Sequence, residues 1–521
     1  MVDEDLVNGL MKLWIYEHYI IAKSCWTLLV HDFNHDFVSK DIQQPTNVYL
    51  RRWAGLFRSS DQGILYRPRN QLGLNLTSVT VQFERMKVIR CHLLKYSSDP
   101  DIVAVYEHRR RRLESHETRW CDTQFLEKVE SMADYETKFQ AAQPNDKRGL
   151  GHGLFVAHLD EHAEHRKRCV AAARKLVNEK LFAHTVSLAL NGVWTKWADH
   201  SCAFDLSWRN LIWGPGPRII SFILNATMNS LPTPDMLKLL NLSDVSTCSL
   251  CGAKRCTLFH ILVGCDKSLK DKRYTWRHDS VLATMLQILA PKLIRHNATK
   301  LPSKLPQPIA FVKSGDNSSQ NTRERPVKCL LTKANDWQLL IDFDCRRMLF
   351  PPTIVATSER PDVVVWSESS KTVILIELTC PAEENFVDAA HRKRERYAVL
   401  CEQIRNANWT VVLRTIESGA RGFVAHSFRK VFRELGLSGL EATRACKDIS
   451  NVTARCSYGI WLMRKSKDWN ASRELVVPNN YLSPPPTTSP APLLTTLSKR
   501  LPSSIREWHL CPDSATKTPE L

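Results

Sequence analysis

Apolar and polar positions alternate most clearly between Arg360 and Leu400, where the pattern spells strand, turn, strand, helix. Two apolar runs, Val363 to Trp366 and Val373 to Leu378, flank the polar stretch Ser367 to Lys371 and predict an antiparallel hairpin. A turn centred between Ser369 and Ser370 sets Asp362 directly opposite Glu377. Opposed residues share a face, with Cβ atoms roughly 4.5–5.5 Å apart. From Phe386 the spacing becomes helical: Phe386, Ala390, Tyr397 and Leu400 fall on one stripe, and Lys393 falls on it too. Arg392, Arg394, Glu395 and Arg396 lie off that stripe. Trp337 to Phe343 and Trp409 to Ile416 read as further strands, whereas residues 1–120 and 121–245 read as mainly helical. The apolar stretch Tyr19 to Val30 is broken by Lys23 and too short to span a bilayer, so it predicts a buried helix. Trp194, Trp197, Trp208 and Trp213 read as core packing.

The hairpin carries the most informative chemistry. Like charges facing each other repel, so the pair Asp362 and Glu377 calls for something positive between them, and a hard divalent cation such as Mg²⁺ meets that need. A lysine on the sheet-facing side of the next helix, Lys393, could orient or activate a water for attack on phosphate. The bland alternative is a lysine that snorkels past the core edge and a Glu377 that caps its strand.

A second constellation lies upstream. Cys248, Cys251, His260 and Cys265 form a C-x2-C-x8-H-x4-C pattern, with Gly252 suited to a tight turn after the second cysteine. Thiolates and imidazole at these spacings suit tetrahedral Zn²⁺, and four protein ligands close the site, which makes it structural. Cys256 and His278 are alternatives for one ligand.

These motifs resemble a known family. Aspartate after proline at Pro361-Asp362, a strand, a turn, a strand ending in an acid and then a helix look like the restriction-endonuclease-like nucleases. Ile376-Glu377-Leu378-Thr379-Cys380-Pro381, Glu383-Glu384-Asn385, and Lys393 with Arg396-Tyr397 look more specifically like the endonuclease of non-LTR retrotransposons. Restriction enzymes place a lysine two residues after the second acid, where this chain has Thr379; in the retrotransposon branch it resembles one moved to the following helix, which fits Lys393. The words around the cysteines, Leu250-Cys251-Gly252-Ala253, His260-Ile261-Leu262 and Arg273 to Asp279, resemble the zinc-binding region between a reverse transcriptase and its endonuclease. Lys12 to Tyr16, Arg52 to Leu56 and Gly63 to Leu74 resemble the thumb that follows a polymerase palm. No Asp-Asp dipeptide occurs in the 521 residues, so the polymerase's metal-binding strand is missing. The resemblance therefore implies the C-terminal part of a retrotransposon protein, either a truncated gene product or a host gene derived from one.

What it implies is a multidomain α/β chain with a mainly helical N-terminal half. The expected divisions are a thumb-like helical region at 1–120, a helical linker region at 121–245, a zinc knuckle at 246–282 and a linker at 283–333. A restriction-endonuclease-like α/β domain follows at 334–440, and a Pro-rich, disordered tail occupies 478–521. Asp362, Glu377 and Lys393 would be catalytic with Mg²⁺, and Arg392, Arg394 and Arg396 would contact phosphates. The partners implied are DNA and RNA, with no membrane, and the location is intracellular and nuclear. A non-catalytic nucleic-acid-binding protein and an inert relic are the competing readings.

Composition supports a nucleic-acid partner. Lys+Arg number 72 against 54 Asp+Glu, a formal charge of +18, and such a balance favours phosphate backbones through counterion release. Sixteen cysteines with no apolar leader at Met1 point to a reducing compartment. The basic run Arg109 to Arg112 is either a phosphate contact or a solvated helix face. His158, His162 and His165 align on one helical face, and the charges between them favour an exposed surface over a metal site. Pro302, Pro306, Pro308 and Asn317-Ser318-Ser319 mark the linker.

Overall fold

The structure is a computed structural model that describes residues 8–114, 127–134, 161–202, 205–214, 216–299, 329–343 and 348–469, without the side chains of 109–114 and 161. These belong to one compact unit, Met1–Val477. The expected disordered tail at 478–521, most of the linker with its prolines, and His158 lie outside the described residues. Among the described residues, no helix is long and apolar enough to cross a membrane.

The N-terminal half is helical, as its apolar spacing implies. Helix α1 (Ile21–Val30) lies against α2 (Val79–Lys95), which the Ser78 side chain caps by accepting from the Val81 N–H. The expectation of a buried helix over Tyr19 to Val30 needs correction: only Ile21 and Leu28 are buried, and Trp26 is 72% exposed. Its apolar residues are spread around the helix, and α2 covers one face. Likewise Trp194, Trp197 and Trp208 are core residues, but Trp213, beyond the short helix Trp208–Leu211, is 86% exposed.

The histidine face belongs to α3 (Glu161–Ser187) and is not simply a charged surface. His165 Nδ1 lies 3.2 Å from His92 Nε2 of α2, and its Nε2 lies 3.1 Å from Asp134 Oδ1. The exposed His162 stacks on Tyr96 at 4.6 Å, so the row forms a seam between helices. The Arg109 to Arg112 run lies in the helix Pro100–Glu114, its side chains outside the described residues.

Helix α4 (Pro217–Thr227) buries Phe222, Ile223 and Leu224 and leads toward the cysteine-rich segment. Cys248, Cys256, Cys265, Leu258, Ile261 and Leu262 join the same apolar core as Leu224 and Trp276, so the knuckle is built into the body. Helix α5 (Arg273–Ala298) runs past the boundary expected at 282, because Val281, Leu282, Met285, Ile288, Leu289 and Leu293 continue its buried stripe.

Four strands make one sheet in the order β1 (Gln338–Ile341), β2 (Val363–Ser367), β3 (Thr372–Thr379), β4 (Thr410–Glu417). The first two pairings are antiparallel and β3–β4 is parallel. Between β3 and β4 the chain crosses over through α6 (Phe386–Arg396) and α7 (Ala398–Asn406), as a parallel pair requires. Tyr397, buried at the break between those helices, packs with Val373, Leu375, Leu400 and Ile404. Helix α5 packs on β1 and β3, and α8 (His426–Glu434) packs on β4. Seven of the eight β3 residues are buried, which explains its continuous apolar run. Helix α9 (Gly439–Leu462) opens with a Ser438–Glu441 capping box and packs along α5.

Candidate functional site

At the knuckle the chain turns sharply at Gly252 (φ +75°), which brings Cys251 back toward Cys248. A single π-helical turn, His260–Gly264, then separates His260 from Cys265. Cys248 Sγ lies 4.0 Å from Cys265 Sγ, Cys251 Sγ lies 3.3 Å from His260 Nε2, and all four ligand atoms fall within 4.8 Å of one another. Tetrahedral Zn²⁺ with Zn–S near 2.3 Å would place sulfurs about 3.8 Å apart, so the set fits that ion. Cys256 is buried outside this group, and His278 lies elsewhere. Burial opposes ionisation of Cys248, but the N–H groups of Cys251 and Leu250 and the side chains of His260 and Cys251 together bring the thiol down to about 6. Burial and the neighbouring sulfurs push Cys251 up to about 11, so a second thiolate is disfavoured until a cation neutralises the set.

At the hairpin the register pairs Val363 with Ile376 and Ser367 with Thr372, which puts Asp362 opposite Glu377 as the turn geometry predicts. Asp336 fixes that turn: its carboxylate accepts from the Ser369 N–H at 2.8 Å and from the Ser367 hydroxyl at 2.6 Å. Each acid binds the other's strand. Glu377 Oε2 accepts from the Asp362 N–H at 3.1 Å, and Asp362 Oδ2 accepts from the Leu378 N–H at 2.8 Å. Lys393, on α6, donates to Glu377 Oε1. Arg392, Arg394 and Arg396 are exposed on the same helix; Arg396 also reaches Glu359 at 3.4 Å.

His278 completes the group. Its Nε2 lies 3.4 Å from Asp362 Oδ2 and its Nδ1 lies 3.2 Å from Asp279 Oδ1. Burial works against ionised Asp362, but the charges of His278 and Lys393, with hydrogen bonds from His278 and the Leu378 N–H, together hold the carboxyl below the ordinary range. Burial and the charge of Asp362 raise Glu377 despite Lys393. The two opposed acids are therefore unequal, Asp362 the stronger and Glu377 the weaker.

Thr379 faces Glu417 across the parallel pair. Its hydroxyl is buried without a partner, as is one oxygen of Glu417, whose other oxygen accepts from Ser427 at 2.6 Å. Glu383 and Glu384 have a structural task. Arg421, 4% exposed, bonds Glu383 and Glu384 at 2.8 Å each, and the Ala226 carbonyl and Asn229 at 3.0 Å, fastening the sheet's end to α4. Gly419 is required there: a Cβ would meet the Glu383 carboxylate at 2.3 Å.

Knuckle and hairpin are joined by one buried side chain. Arg277 donates to the Leu262 carbonyl in the knuckle at 3.1 Å, to the Cys380 carbonyl after β3 at 3.2 Å, and to Ser457 of α9 at 3.1 Å. His278 is the next residue, so the arginine that grips the knuckle also sets the histidine beside Asp362. Periodicity along the hairpin gives no sign of His278, which is 84 residues from Asp362 in sequence. Its one signal is the adjacent Arg277-His278-Asp279 run, charged in a helix whose neighbours are apolar.

No protein-family model matches this chain, and no curated protein matches it.

Proposed function

We propose that this chain is a retrotransposon-derived DNA endonuclease, with a restriction-endonuclease-like domain that uses Mg²⁺ and a knuckle that holds structural Zn²⁺. The observation that carries the reading is Asp362 opposite Glu377 with Lys393 on Glu377. Asp362 and Glu377 would hold the divalent ion, which would polarise the scissile phosphate and lower the pKa of its bound water. Lys393 would orient the attacking water. The exposed Arg392, Arg394 and Arg396 surround Lys393 on α6, where they would track phosphates, and the charge of +18 favours the same partner. RNA is a second partner on the same electrostatic ground, and a DNA substrate implies a nuclear location. Polymerase activity is not part of the proposal.

One observation favours the non-catalytic reading. Asp362 already has His278 and Glu377 already has Lys393, so the four side chains can also be read as a charge quartet that needs no metal. Supercoiled plasmid separates the two. The nuclease reading expects nicked circles with Mg²⁺, none with EDTA, and none from Asp362→Ala protein that still binds DNA. DNA bound but never cut by the wild type would establish the quartet reading.

A further inference from the structure

A cleft of about 560 Å³ opens where the helix Gly9–Ile15, the end of the helix Gln44–Trp53, the start of α4 and the end of α9 meet. That volume lies within the range of small-molecule sites. None of the knuckle ligands or hairpin acids lines it. Its charge is one-sided: Lys12, Arg52 and Arg218 line it, and no aspartate or glutamate does. Lys12 is buried, whereas Arg52 and Arg218 are exposed. Aromatic rings supply the other half of its chemistry. Trp53 and Tyr458 stand half-buried in the lining, and Phe57 is 41% exposed.

The segment that carries Phe57 is held in place before anything binds. The Phe57 N–H donates to Asn225 Oδ1 at 2.9 Å, and Arg51 donates to the carbonyls of Phe57 at 2.9 Å and Ser60 at 3.2 Å. Two residues earlier, the Gly55 carbonyl accepts from Ser221 at 2.6 Å and from Asn225 at 2.8 Å. These bonds tie the loop after Trp53 to α4 and to the helix that precedes the loop. Little ordering entropy is then left to lose on binding.

We propose that this cleft seats an unpaired nucleotide of a single nucleic-acid strand, with Arg52 and Arg218 on its phosphates and the rings of Trp53, Phe57 and Tyr458 against its base. A base offers its flat face only after leaving the duplex, because stacking on its neighbours hides it. Cations alone would take any phosphate; aromatic faces beside them select the strand whose bases are open. An acidic peptide would satisfy the cations and leave the rings without a planar partner. DNA and RNA strands share this chemistry. The assignment does not rest on cutting at the hairpin, since the two places have no residue in common.

Full-length, zinc-loaded protein in magnesium-free buffer tests this without cleavage. Oligo(dT) and oligo(U), each substituted with 5-iodouracil, should cross-link on irradiation to peptides bearing Trp53, Phe57 or Tyr458, and the arm that reacts names the strand. Unlabelled single strand should suppress the cross-link, and duplex DNA should not. Phe57→Ala should weaken single-strand binding roughly tenfold and leave its salt dependence and the duplex affinity unchanged. Arg52→Gln combined with Arg218→Gln should instead flatten the slope of log K against log salt by about 1.4 for a single strand. Cross-links confined to other peptides, duplex that competes as well as single strand, or Phe57→Ala protein with wild-type affinity for single strands would each overturn the proposal. Plasmid nicking is a separate readout, so failure of the cleft and failure of the nuclease reading are told apart.

Discussion

At the knuckle, three sulfurs and an imidazole nitrogen converge within 4.8 Å; at the hairpin, each carboxylate is met by a basic side chain, His278 on Asp362 and Lys393 on Glu377. Both sites gather negative charge, but they relieve it differently. Crowded thiols can ionise together only around a cation, so the knuckle should depend on its metal to fold. The carboxylates are satisfied within the protein, so the hairpin should fold without one. A divalent ion held at the hairpin, as proposed, would therefore bear on chemistry and leave the architecture unchanged.

The largest effect should come from taking zinc away. Metal binding to small closed sites of this kind is worth roughly 10–16 kcal/mol and is coupled to folding. Purified protein should hold one Zn²⁺ per chain, and Cys251→Ser should lose it together with hydrogen-exchange protection over 246–282 and part of the core around Leu262 and Trp276. Magnesium removal should leave the melting temperature where it was. A large fall in melting temperature on removing magnesium alone would erase the distinction between the sites.

Next in size is the chemistry at the hairpin. Lys393→Met should lower plasmid nicking by roughly 10²–10⁴-fold. Lys371→Met, which removes a cation 4.7 Å above the Trp409 ring at the turn, should leave the rate unchanged. Equal loss in both variants would assign Lys393 to general packing.

The link between the two sites should come third. Arg277→Met strands three polar partners in a buried position and should cost about 3 kcal/mol in chemical denaturation. Zinc content should stay at one per chain, because no ligand is touched. Loss of zinc along with stability would mean that the knuckle cannot hold its shape without Arg277.

The smallest effect concerns the turn. Hydrogen bonds from Ser367 and Ser369 outweigh partial burial and bring Asp336 down to about 2. A folded-state pKa below the unfolded one gives stability that is present above pH 4 and lost as pH falls toward 2. Solvent screening limits it, so Asp336→Ala should cost no more than about 1 kcal/mol at pH 7, and the gap from wild type should narrow as pH falls from 4 through 2.

What the sequence made legible was local. The register at Asp362 and Glu377 follows from two apolar runs and the length of their turn, and the knuckle follows from the spacing of four ligands. Lys393 is legible because helical period projects it onto the apolar stripe. The place of His278 beside Asp362, and the roles of Asp336 and Arg421, are not legible, because each meets its partners across long stretches of chain and only packing decides which segments become neighbours. The parallel β3–β4 pairing is invisible for the same reason. Helix α9 is different: Ala442, Ala445, Ile449, Val452, Cys456 and Ile460 form a buried stripe at helical spacing, and Ser438 with Glu441 announces its start. Tyr19 to Val30 shows the opposite case: its apolar content does not bring burial, because one neighbouring helix covers only one face.

Divalent-ion binding at the carboxylates tests the central claim most directly. Zinc-loaded protein titrated with Mn²⁺ and followed by electron paramagnetic resonance should bind one ion in the wild type. Asp362→Ala and Glu377→Ala should each lose that ion and keep their zinc. Wild-type protein that takes up no Mn²⁺, or an Asp362→Ala variant that binds it as tightly as the wild type, would contradict the assignment of these two carboxylates as the metal site of a nuclease.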